Sequence, residues 1–167
     1  MKILLDSRFY GLENAGLGRY TSKLVDHLSK IDRTNEYIIL LNKKYFYKLK
    51  LPKNWKKIPA FFRHYNLSEQ IKLRMIVKKE NPDLVHSLNF NVPLFCSKPL
   101  VVTIHDTLMG QYRGLSATTL PRYQYLLKYL AASYVFKKGL VKAVKVIVPS
   151  QTIKKELIRD YKIKKVI

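Results

Sequence analysis

Residues 99–108 read "PLVVTIHDTL". From Leu100 to Ile104 every side chain is apolar or β-branched, so a strand here has no face to give to water and must be covered on both sides. The polar pair His105 and Asp106 then ends the run. Strands covered on both faces belong to parallel sheets flanked by helices, and in such sheets ligands bind along the carboxyl ends of the strands. This one stretch therefore predicts both a fold class and the edge at which to look for a site.

Working outward, similar runs recur: "KILLD" at 2–6, "EYIILL" at 36–41, a weaker "KKIPAF" at 56–61, "DLVHS" at 83–87, "LVVTIH" at 100–105 and "VKVIVP" at 144–149. Helical spacing fills the gaps. A first helix from about Ala15 sets Tyr20, Leu24, Val25, Leu28 and Ile31 on one face, a second runs from Leu67 to Lys79, and a long one from Thr119 to Lys138 carries Tyr123, Leu126, Leu127, Leu130 and Tyr134, a stripe expected in the core. Ser150, a favoured N-cap residue, opens the last helix. The expectation is an α/β, Rossmann-like parallel sheet with helices on both faces, forming a single domain over 1–167. The closing "KIKKVI" reads as the start of another strand, so a continuation is expected.

Composition narrows the partners. The apolar fraction of 47% excludes a disordered chain. One cysteine, Cys96, makes no internal disulfide, and no Cys/His cluster has zinc spacing, so neither a staple nor a metal is expected and a reducing cytoplasm fits. The first residues are too short in apolar length for a signal core, and no apolar run approaches the roughly 20 residues that cross a bilayer. Charge is the outlying property: 32 Lys and Arg against 11 Asp and Glu leave +21, which draws the chain toward polyanions. From Lys43 to Arg63 there are seven lysines, one arginine and no acid, interleaved with aromatics. Lys43, Lys44, Lys56 and Lys57 are its candidates for contact with an anionic membrane or another polyanion. Aromatics among lysines also suit a nucleic-acid module, the main rival reading, with a stand-alone nucleotide-binding or regulatory domain beside it.

Three strand ends carry the chemistry. "NAGLGRY" at 14–20 places Gly16 and Gly18 at a helix start, where backbone N–H groups and the positive end of the helix dipole suit an anion, with Arg19 beside them. The dinucleotide fingerprint fails, because the glycines do not follow the strand directly and Thr21 stands where its third glycine belongs. His105 and Asp106 end one strand. His86 ends another and leads into Asn89 and Asn91, whose amides are suited to hydroxyls, while Ser150 marks a third strand-to-helix transition. Neither a P-loop lysine nor a Ser-His-Asp arrangement is present.

Taken in order, "GLGRYTSKLVDHL", "NPDLVHSLNFNVPL", "PLVVTIHDTL" and "VIVPSQTIKKEL" resemble the N-terminal domain of family 4 retaining glycosyltransferases, enzymes of the two-domain GT-B fold. The resemblance implies that this chain is the acceptor-side half. A C-terminal domain, absent here, would hold the nucleotide-sugar donor, and the acceptor would be a glycan or a lipid-linked glycan in cell-surface polysaccharide or glycolipid synthesis. It further implies that the Gly16 and Gly18 loop comes close to the donor diphosphate and the acceptor, that His105 is the active-site histidine with Asp106 ordering the loop beside it, and that Ser150 is the polar residue after "VIVP". Transfer with retention would need no metal and no protein nucleophile, only positioning and stabilisation of the leaving phosphate. Alone, such a half is expected not to catalyse. Its place would be the cytoplasm, peripheral on the inner membrane face.

Overall fold

Alternate residues of the central strands enter two different cores. Leu4, Ile38 and Leu40 pack into one apolar cluster, whereas Leu5, Ile39 and Leu41 pack into another, and all six are no more than 2% exposed. That is the physical content of a consecutive apolar run: period-two side chains with a hydrophobic layer on each side. The structure is a computed structural model that describes residues 1–62, 64–107 and 121–167.

The described strands are β1 (Lys2–Asp6), β2 (Glu36–Leu41), β3 (Trp55–Pro59), β4 (Leu84–Ser87), β5 (Leu100–Thr103) and β6 (Lys145–Ile147). All pair in parallel in the order β3-β2-β1-β4-β5-β6. The order reverses between β1 and β4, which makes the crevice outside their carboxyl ends the topological switch point. The final residues start a further pairing, with Val166 bridged in parallel to Val146 on the outer side of β6.

The helices are α1 (Ala15–Ile31), α2 (Lys43–Lys48), α3 (Leu67–Glu80), α4 (Arg122–Lys142) and α5 (Gln151–Tyr161). Val25 and Leu28 of α1 and Tyr45 and Phe46 of α2 belong to the β1/β2 cluster around Leu5 and Ile39. Leu73 and Val77 of α3, Phe136 and Leu140 of α4 and Leu157 of α5 pack into the other cluster. Helices thus lie on both faces.

Three differences from the sequence reading have physical causes. α2 is a helix at a position read only as a basic stretch; Asn42 caps it by accepting from the Tyr45 N–H at 3.3 Å. Ile31, expected on one face with Val25 and Leu28, is 76% exposed as the last residue of α1, with no following turn to cover it. The outer stripe of α4 is not core: Tyr123, Leu126, Leu127, Leu130 and Tyr134 are between 55% and 65% exposed, and the helix buries Phe136, Gly139 and Leu140 instead. Thr119, where that helix was expected to begin, the rest of the loop after Thr107, and Arg63 lie outside the described residues.

Candidate functional site

Two histidines stand on neighbouring strands at the carboxyl edge. His86 lies one residue before the end of β4, and its Nε2 is 2.9 Å from the Thr103 hydroxyl at the end of β5. The Thr103 hydroxyl is also 3.4 Å from the Tyr20 hydroxyl of α1. Tyr20 packs edge-on against the His105 ring with centroids 4.8 Å apart, and His105 Nε2 lies 3.0 Å from the Leu88 carbonyl oxygen. One connected cluster therefore runs from β4 across β5 to α1. Burial pushes the His86 imidazole down to about 4, so it is neutral near pH 7. Asp106 is exposed immediately after His105.

Gly16 and Gly18 fall in the first turn of α1 rather than in the loop before it. Gly16 is one turn ahead of Tyr20 on the same side of the helix, roughly 6 Å along the axis, which brings it to the edge that His105 occupies. The two glycines differ. A Cβ on Gly16 would meet nothing within 4 Å, whereas one on Gly18 would overlap the Gly11 carbonyl oxygen and approach the Asn14 Cβ to 2.8 Å. The room required at Gly18 is taken by the chain itself, at the turn that carries Gly11. Asn14, at the N-cap, does not cap; its side-chain amide donates to the Phe9 carbonyl at 3.0 Å. Arg19 is exposed beside this turn.

The asparagines divide likewise. Asn89 is half-buried and donates to the Tyr65 hydroxyl at 3.1 Å. Asn91, expected to meet substrate hydroxyls, is only 4% exposed and donates to both carboxylate oxygens of Glu69 at 2.8 Å. Its amide is committed to the protein. Ser150 is exposed, and its hydroxyl accepts from the Ile153 N–H at 3.3 Å, capping α5.

A buried ion network, absent from the sequence reading, sits beneath the switch point. Arg8 forks onto Asp6 with Nε–Oδ1 2.7 Å and Nη2–Oδ2 2.6 Å, and its Nη1 is 2.7 Å from Glu69 Oε1. Arg8, Asp6 and Glu69 are 2%, 8% and 0% exposed. Burial by itself would raise the Glu69 carboxyl, but His64, the charge of Arg8 and the Asn91 amide outweigh it and hold the group at about 2. The available signal was "NLSE" at 66–69, an Asn N-cap with Glu at the third helical position; Glu69 N–H donates to Asn66 at 2.8 Å, while the Glu69 side chain reaches back to the Tyr65 N–H at 2.6 Å. His64 stacks on Phe9 with centroids 4.1 Å apart.

The expected basic contact surface stays exposed except at Lys57, and two of its lysines make surface ion pairs. Lys57 donates to the Phe46 and Leu49 carbonyls at 2.7 and 2.9 Å, closing the end of α2, and Lys44 and Lys56 pair with Glu13 and Glu80. Trp55 is 7% exposed and stacked on Tyr37. Lys43 is exposed at the start of α2. Among the described residues no three His, Cys, Asp or Glu side chains group as metal ligands, and no helix is long and apolar enough to cross a membrane.

This arrangement, with small residues at a helix start and histidines at strand ends beside the switch point, is suited to binding a polar, anionic ligand. The description "Glycosyltransferase Family 4" matches residues 15–167, from the first residue of α1 onward. The chain belongs to glycosyltransferase family 4. A crystal structure of a glycosyltransferase from Rickettsia africae ESF-5 is similar at 17% identity and a TM-score of 0.46, over 99% of this chain and 41% of that one. Among curated proteins none matches the chain. The family 4 domain therefore spans less than half the length of that glycosyltransferase.

Proposed function

We propose that this family 4 domain forms the acceptor side of an enzyme that moves a sugar, with retention, from a nucleotide-sugar donor to a glycan or lipid-linked acceptor at the cytoplasmic side of a membrane. The observation that carries the reading is the convergence of the α1 N-terminus, His86 and His105 on one sheet edge. The uncapped first turn of α1 favours negative charge, as a diphosphate would supply, and Gly16 leaves space for it. His105, held between Tyr20 and Leu88, is placed to hydrogen-bond the transferred sugar, with Asp106 beside it and Arg19 and Asn89 at the rim. Positioning and electrostatic stabilisation carry such a reaction.

Against the nucleic-acid rival stands the burial of Trp55 and the partial burial of Tyr45 and Phe46, which reduces the stacking platform that aromatics among lysines would form to Tyr47 and Phe61. The test joins the domain to a donor-binding domain and follows nucleoside diphosphate release over a panel of nucleotide sugars, with and without glycan acceptors. Release with a defined donor is expected, and a folded His105→Ala variant should lose most turnover. No release with any donor would defeat the reading; near wild-type turnover in His105→Ala would make the histidine structural.

A further inference from the structure

A helix on the outside of an α/β sheet needs one apolar stripe, and α4 has two. Phe136, Gly139 and Leu140 face the core, while Tyr123, Leu126, Leu127, Leu130 and Tyr134 recur every three or four residues on the opposite side, in solvent. The same helix holds Arg122, Lys128, Lys137, Lys138 and Lys142 and no acid. Lys142 donates to the Leu94 carbonyl at 2.6 Å; the other four are exposed, and Lys138 lies over the Tyr134 ring at 5.7 Å.

We propose that the outer face of α4 docks on an anionic lipid surface. Charge decides the occupant. Two copies meeting through this face would bring Arg122, Lys137 and Lys138, the cations that flank the stripe, against their counterparts with no acid on either helix, in a chain already at +21. An anionic bilayer offers the complement: acyl chains at the depth of the leucines, phosphates at the height of the basic termini, and an interface that suits tyrosine at each end of the stripe. At about 1.5 Å per residue, α4 is roughly 30 Å long and lies in the plane of the surface rather than across it. The lipid contact expected at Lys43, Lys44, Lys56 and Lys57 moves to this helix, because Trp55 is buried and that stretch exposes only Tyr47 and Phe61 among its described large apolar side chains, against five on one side of α4. The proposal does not depend on sugar transfer, and its test contains neither donor nor acceptor, so each reading fails independently.

The experiment compares co-sedimentation of the chain with phosphatidylglycerol-containing vesicles and with phosphatidylcholine vesicles at physiological salt. Binding should be at least about tenfold tighter to the anionic vesicles, as expected for apolar insertion combined with several basic contacts. The combined variant Leu126→Asn, Leu127→Asn, Leu130→Asn should lose at least about tenfold, whereas Lys43→Gln with Lys44→Gln should stay within about twofold. A Leu127→Trp reporter provides a second readout at an exposed position. Its fluorescence should be quenched by brominated acyl chains, while the parent chain, whose single tryptophan is the buried Trp55, should not respond. Equal binding to both vesicle types, binding that survives the triple substitution, or an unquenched reporter would overturn the proposal. So would a dimer that the triple substitution dissociates in a chain showing no vesicle binding.

Discussion

Gly16 and Gly18 are two residues apart, yet substitution by alanine should move stability in opposite directions. At Gly18 the added methyl collides with the Gly11 carbonyl oxygen, with Asn14 Cβ at 2.8 Å and Gly11 carbonyl carbon at 2.9 Å. These are mainly backbone atoms, which cannot change rotamer, so the loop carrying Gly11 must shift. Overpacking of this kind costs about 1–3 kcal/mol. Alanine's better helix propensity recovers at most about 0.5–1 kcal/mol. A net loss of about 1 kcal/mol lowers Tm by roughly 2–4 °C in a chain of this size. At Gly16 only the propensity term operates, because the methyl meets nothing within 4 Å. Gly16→Ala should raise Tm by about 1–2 °C. Thermal melts followed by circular dichroism, with urea midpoints at unchanged m, measure both. A Gly18→Ala chain melting within about 1 °C of the parent, or Gly16→Ala the less stable of the two, would refute the packing argument. Since Gly16→Ala keeps the fold, any loss of transfer it causes reports on ligand room alone.

Glu69→Gln should cost about 3 kcal/mol in urea unfolding, because it leaves Arg8 buried with one carboxylate instead of two. The folded Glu69 carboxyl, at about 2, lies below its unfolded value near 4.5, so its stabilisation is complete above about pH 4.5 and is lost as pH falls toward 2. His86, at about 4 against 6.5 unfolded, acts earlier: its contribution is present above pH 6.5 and lost as pH falls toward 4. Urea midpoints read against pH should therefore decline below 6.5 in the parent and stay flatter between 6.5 and 4 in His86→Gln. Ala15 opens α1 at φ 50° and ψ −133°, so Ala15→Gly should stabilise the chain by about 1 kcal/mol, checked by the same melts.

The sheet was legible in the sequence because burial on both faces forces consecutive apolar residues, and runs of only four to six of them between polar segments are too short for a buried helix. Strand ends were less sharp: β5 stops at Thr103 and β6 spans only Lys145–Ile147, since pairing depends on neighbours that no local pattern records. The His86 and His105 positions followed from the strands. The roles of Asn91 and Lys57 did not, because a polar side chain after a strand has the same letter whether it faces a ligand or a buried carboxylate. The stripe on α4 shows the same limit in apolar form. Helical spacing says which residues share a side, and whether that side meets protein, lipid or water is decided by the fold around it.

The contact between His105 Nε2 and the Leu88 carbonyl fixes one further property of the ring. A carbonyl oxygen only accepts, so the neutral imidazole must carry its proton on Nε2, and Nδ1 is left with the lone pair. In that tautomer Nδ1 can accept a hydrogen bond but cannot donate one. The backbone at the end of β4 thus decides which nitrogen of the ring donates and which accepts, and it does so without any second side chain.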